Sequence, residues 1–140
     1  MSNLVGTWEL VEWTATVGGR ESRPFGGNVV GRLTYTPDGY MWAALMRRDR
    51  PSLTAGSMAG ATATERAAAA AGYLNYGGTF TSNDDQVVHH VEVSLFPNWV
   101  GLDQVRKISW IGEELELSTG PETSRSGETV VNRLRWRRLL

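Results

Sequence analysis

His89 and His90 are the only two histidines in the chain, and histidine is the side chain whose proton exchanges closest to neutral pH. They lie in Val87–Gly101, VVHHVEVSLFPNWVG. Adjacent residues of a strand face opposite sides, so the two histidines cannot share one site. His89 is in register with Val87, Val91, Val93 and Leu95, whereas His90 is in register with Glu92 and Ser94. This parity predicts His89 in the interior and His90 at the surface, unless a bulge intervenes. An interior His89 has two readings. It is a general acid/base or ligand-orienting group with a tuned proton affinity, or a neutral core histidine bonded to a neighbour.

Arg106 shares a strand face with Ile108 and Trp110. A guanidinium among large apolar groups either enters a pocket or pairs with a carboxylate. In the first case it binds a ligand carboxylate or enolate oxygen. In the second it pairs with Glu92, Glu12 or Asp38. Tyr35, Tyr40, Trp42 and Met46 are expected along the inner wall of one hairpin, where phenols can bind a ligand or deliver a proton. Tyr40 joins His89 as a candidate catalytic residue. Val91, Trp110 and Trp136 complete the expected ligand-binding wall with Arg106, Tyr35, Trp42 and Met46. Core packing is the competing explanation for each of these apolar side chains.

Several chemistries are excluded or disfavoured. The chain has no cysteine, which removes thiol nucleophiles, thiolate metal sites and disulfides. No HxH or HxxxH spacing is present, so no metal is expected, nor is any cofactor. GxSxG, Walker A and GxGxxG patterns are absent. A formal net charge of −1 argues against a nucleic-acid surface. MSNLVGTW shows no signal peptide, and no apolar run is long enough to span a membrane. The expectation is a cytoplasmic protein, monomer or homodimer, with no nucleic-acid or membrane partner.

The elements that must hold these residues are mostly strands. Residues 1–140 read as a single domain. GTWELVEWTATV, within Leu4–Val17, carries apolar groups on both faces, as if it left one face for another or were capped outside. Gly31–Thr36 and Tyr40–Met46 flank Pro37-Asp38-Gly39, a strong hairpin turn. Ser52–Ala61 is a flexible segment suited to a lid. Thr62-Ala63-Thr64-Glu65 matches a capping box before the alanine-rich Arg66–Ala71. That helix is expected to carry Tyr73 and Tyr76 on its last turn and to stop at Gly77-Gly78. Strands then follow at Thr79–Thr81, Gln86–Phe96, Gln104–Ile111, Glu114–Ser118 and Thr129–Leu139. In the last, Val130, Leu134 and Trp136 oppose Arg133, Arg135 and Arg137. About eight strands without βαβ units predict an all-β, up-and-down antiparallel barrel with one short helix inserted near the middle. Such a barrel is either filled by side chains or holds one small ligand.

Six pieces in this order resemble the lipocalin-like domain proteins of bacteria and fungi. They are GTWELVEW, GRLTYTPDGYMWAALMRRDRP, GYLNYGGTF, VVHHVEVSLFPNWVG, QVRKI and LRWRR. The resemblance covers nearly the whole chain and implies a lipocalin-like or fatty-acid-binding-protein-like barrel without a defined activity. Gly6-Thr7-Trp8 approximates the lipocalin GxW signature. By that comparison Trp8 closes one barrel end under a basic residue of the last strand, with Arg133, Arg135 and Arg137 all open as candidates. Three functions remain. One is a barrel binding a small hydrophobic molecule that carries one polar or acidic group. The second is a cofactor-independent cyclase or isomerase acting on a polyketide-like intermediate in natural-product biosynthesis. The third is an interaction protein with a solid core.

Overall fold

The computed structural model describes residues 3–139. Eight antiparallel strands close into a barrel. In chain order they are β1 (Gly6–Val17), β3 (Val29–Tyr35), β4 (Tyr40–Arg47), β5 (Tyr73–Ser82), β6 (Gln86–Ser94), β7 (Asp103–Ile111), β8 (Glu114–Ser118) and β10 (Thr129–Arg138). Each pairs with the next, and β1 pairs with β10 to complete the circle. Two short strands, β2 (Arg20–Ser22) and β9 (Glu122–Thr123), extend one end by pairing on β1 and β10. The helix α1 (Ala63–Ala71) sits between β4 and β5. None of the described helices is long and apolar enough to cross a membrane.

Two bulges set which side chains enter the barrel. The first explains the apolar residues on both faces of β1. Pairing with β10 slips between Leu10 and Glu12, so Val11 is the extra residue and is exposed. Trp8 and Leu10 point inward before the slip, and Trp13 and Ala15 after it. The strand therefore changes parity once rather than burying both faces. The second bulge lies in β6, where Gly77 and Gly78 oppose Val93 and Val91. Glu92 is the extra residue. Val87, His89 and Val91 are buried, while Val93 and Leu95 beyond the bulge are exposed. The run of inward residues thus ends two positions earlier than simple alternation predicts.

The β3–β4 hairpin corrects one expectation. Pro37-Asp38-Gly39 forms its turn, with Gly39 at φ 94° and the Thr36 N–H donating to the Tyr40 carbonyl at 2.8 Å. This turn pairs Tyr35 with Met41 and Leu33 with Ala43. Direct cross-strand partners share a face, so Met41, Ala43 and Leu45 are inside with Tyr35. Tyr40 and Trp42 are on the outer face, 45% and 47% exposed. Met46 is on that outer face too, half-buried and paired with Val30 and Tyr73. Trp42 lies flat over Gly77, where a Cβ would meet its ring at 1.9 Å.

The helix is shorter than its sequence suggests. Thr62 and Glu65 form the expected capping box, but the helix ends at Ala71 with Gly72 as its cap. Tyr73 and Tyr76 belong to β5, which begins at once and runs through Gly77-Gly78. The polyalanine face buries no residue; the cap and tethers from the preceding segment hold this helix, the Thr54 N–H donating to Glu65 and Arg50 to the Ala69 carbonyl.

The basic cover of Trp8 is Arg138. Its guanidinium lies 4.2 Å from the Trp8 ring centroid, and it donates to the carbonyls of Asn3 and Val5. Arg138 pairs directly with Trp8 across β1 and β10. Arg133, Arg135 and Arg137 have the opposite parity and bond Thr16, Glu12 with Glu114, and Glu9 respectively.

Candidate functional site

The barrel interior divides into a packed end and a hollow end. Trp8, Leu4 and Met41 fill the first. Trp110 reaches this end too, 6.1 Å from Trp8 between ring centroids and 43% exposed. At the other end is a cavity of about 140 Å3. Its apolar wall includes Trp13, Leu33, Leu45, Trp99, Leu134 and Trp136. Its polar wall includes His89, Tyr76, Arg106, Gln104 and Asn132.

His89 sits between two tyrosines. The Tyr35 hydroxyl is 2.7 Å from its Nε2, and the Tyr76 hydroxyl is 2.7 Å from its Nδ1. The three come from β6, β3 and β5. Their spacing follows from register: His89 pairs with Phe80, whose ring meets the Tyr35 ring edge-on at 4.7 Å. His89 is 1% exposed. Burial first, then the positive charge of Arg106, pushes its pKa from 6.5 to about 3. Burial raises both phenols, with Arg106 pulling the other way on each. At neutral pH the three groups are therefore a chain of uncharged hydrogen-bonding partners. His90 faces outward, bonded through Nδ1 to Asp103 at 2.8 Å.

Arg106 is half-buried in the cavity wall. It donates to the Gln104 side-chain carbonyl at 3.2 Å and to the Val105 carbonyl at 3.0 Å. Among the described residues none of its contacts is an ion pair. Glu12, one of its expected partners, is taken by Arg23 and Arg135. Trp136 is 2% exposed, and its indole N–H is buried with no acceptor among the described residues.

The structure gathers some of the expected residues and disperses others. His89, Arg106 and Trp136 line the cavity together. Tyr35 stands behind His89, and Val91 is buried in the core beside it. Tyr40, Trp42 and Met46 are outside the barrel, and Trp110 belongs to its opposite end. No cavity-lining residue comes from Ser52–Ala61 or α1. Trp99 lines the cavity instead, on the 3-10 turn Pro97–Trp99, with its ring edge-on to Tyr76 at 5.4 Å. Tyr76 is the main residue that sequence reading misses. Its signal is present: Leu74, Tyr76, Gly78 and Phe80 alternate as an inward face. The preceding alanines masked this period. Among the described residues no cluster of three or more His, Asp or Glu could hold a metal ion.

The protein named 4'-hydroxy-3'-methoxypropiophenone carrier protein ppsC, from Aspergillus oryzae, is 36% identical over 107 residues, 71% of this chain and 96% of that protein. No solved structure matches the sequence. A family model described as a lipocalin-like domain matches residues 5–139, and the chain belongs to that family.

Proposed function

We propose that this protein binds a small, largely apolar molecule of about one aromatic ring that carries a polar or anionic group. The observation that carries this reading is Arg106, a cation in the polar part of the cavity wall that makes no ion pair among the described residues, although the Glu122 carboxylate lines the same cavity. Its donors meet only neutral acceptors, namely the Gln104 side chain, the Val105 carbonyl and the Tyr76 hydroxyl, so a charged ligand oxygen would add a charge-assisted bond that the protein itself does not supply. The volume, about 140 Å3, suits a single ring, since a cavity of about 150 Å3 accommodates benzene. Trp13, Trp99 and Trp136 would surround that ring. The relative's name, a carrier of a substituted propiophenone, describes a ligand of this chemical character, an aromatic ring bearing polar oxygens.

The geometry favours carriage over catalysis. A cyclase or isomerase acting through His89 would need that ring to accept a proton. Both its nitrogens are already engaged by tyrosines, and its proton affinity is pushed to about pH 3. The alternative of a cofactor-independent enzyme would therefore have to act through other groups.

Tryptophan fluorescence offers the test, because three indoles line the cavity. Titration with single-ring aromatic acids and ketones should quench or shift the emission saturably. Arg106→Met should weaken binding of the acids by about tenfold or more, the weight of one lost charge-assisted contact. Flat titrations up to millimolar ligand, with no small molecule co-purifying by native mass spectrometry, would sink the proposal.

A further inference from the structure

The Tyr35–His89–Tyr76 chain has a direction, and that direction fixes what the cavity asks of its ligand. A neutral imidazole carries one N–H donor and one acceptor nitrogen. One tyrosine must therefore donate to His89 and the other must accept from it. The accepting tyrosine keeps its own O–H free for a third group.

The two orders differ in where that free proton lies. If Tyr76 donated to Nδ1, then Nε2–H would donate to Tyr35, and the Tyr35 hydroxyl would need a further acceptor. Tyr35 is 1% exposed and does not line the cavity. Among the described residues its hydroxyl has no hydrogen-bond partner but His89. That order strands a buried donor, which is unfavourable. In the opposite order Tyr35 donates to Nε2, and Nδ1–H donates to Tyr76. The Tyr76 hydroxyl proton is then free, and Tyr76 lines the cavity. The indole N–H of Trp136, in the same wall, is also without an acceptor.

We infer that Tyr76 is the specificity-determining donor of the site, and that it selects a ligand carrying a carbonyl or similar acceptor oxygen. The order is Tyr35 to His89 to Tyr76 to ligand. Tyr35 and His89 are positioning residues that aim the Tyr76 proton inward. Beside Tyr76 the wall carries the donors Trp136 and Arg106; of its acceptors, the Gln104 and Asn132 side-chain oxygens already accept from Arg106 and Trp13, and Glu122 is the carboxylate that lines it. This rests on the binding function proposed above, and it adds which ligand atom is read and by which residue.

Two measurements test it. The tautomer of His89 can be read in the wild-type protein from long-range nitrogen–proton correlations of the imidazole ring. The expected form carries its proton on Nδ1, and a proton on Nε2 would overturn the inference whether or not any ligand binds. The second compares acetophenone with α-methylstyrene, which replaces the carbonyl oxygen by a methylene of similar shape. Tyr76→Phe should weaken acetophenone by about tenfold and leave α-methylstyrene unchanged. Equal losses for both probes, or no loss for either, would overturn the role of Tyr76 while leaving the binding function intact. Failure of both probes to bind the wild type would overturn the ligand half along with the binding function.

Discussion

His89 makes the protein's stability depend on pH in a window where few other groups titrate. Its pKa falls from 6.5 in the unfolded chain to about 3 in the folded one, chiefly through burial. Above pH 6.5 neither state binds the proton, so His89 makes no difference between them. As pH falls below 6.5 the unfolded chain takes up the proton and the folded one does not. Stability is then lost at about 1.4 kcal/mol per pH unit until the folded pKa is reached. The carboxylates held below the usual range by hydrogen bonds and ion pairs with arginines, such as Glu9 with Arg137 and Glu12 with Arg23, act lower down. Denaturant unfolding between pH 6.5 and 5 should therefore show a loss of about 2 kcal/mol in the wild type. In His89→Gln that slope should flatten, whatever the variant's overall stability; an unchanged slope would contradict a buried neutral His89. Parity alone separated His89 from His90 in the sequence, because β6 is regular up to Val91. Tyr76 was not legible in the same way. Its neighbours on one side are alanines with high helix propensity, and only pairing with Ala43 on β4 makes the segment a strand.

At the scale of elements, the site depends on a glycine in the bulge that ends the inward face of β6. A Cβ at Gly78 would meet the His90 carbonyl oxygen at 1.9 Å and the Glu92 nitrogen at 3.0 Å. Both obstacles are backbone, so no rotamer change relieves them. Gly78→Ala should cost about 2 kcal/mol or more in thermal or chemical unfolding and should disturb Tyr76 and His89 on either side. At Gly77 the three atoms nearest an added Cβ all belong to the Trp42 ring. Pairing Gly77→Ala with Trp42→Ala should restore most of the loss, a rescue that Gly78→Ala has no side chain to supply. Strand existence and order were legible from turns and alternation: Pro37-Asp38-Gly39, Gly112-Glu113 and the Leu115/Leu117 period all stand in the structure. The bulges were not. One extra residue, such as Val11 or Glu92, leaves composition and turn signals untouched and shows only as a mismatch of apolar parity. GTWELVEWTATV carried that mismatch visibly, with tryptophans five apart on what simple alternation makes opposite faces.

For the whole molecule, barrel closure forces a choice between filling the interior and leaving a site. The Trp8 end is filled and sealed by Arg138, whereas the His89 end keeps about 140 Å3. An unfilled volume of that size lowers stability relative to a packed core, so its role can be tested by filling it. Ala43 is 4% exposed, lies in the cavity wall on β4, and pairs with Leu33 and Tyr76. Ala43→Leu adds three carbons to a wall that has space in front of it. If the cavity serves a ligand, this variant should keep or raise its melting temperature while losing saturable binding of single-ring aromatics. A gain of about 1 kcal/mol is the scale expected for cavity filling. A variant that falls in stability would mean that the wall around Ala43 is already tight. One that binds as well as wild type would place the ligand elsewhere. Loss of binding with stability retained separates a site maintained for a ligand from a packing defect, because only a site loses a function when it is filled.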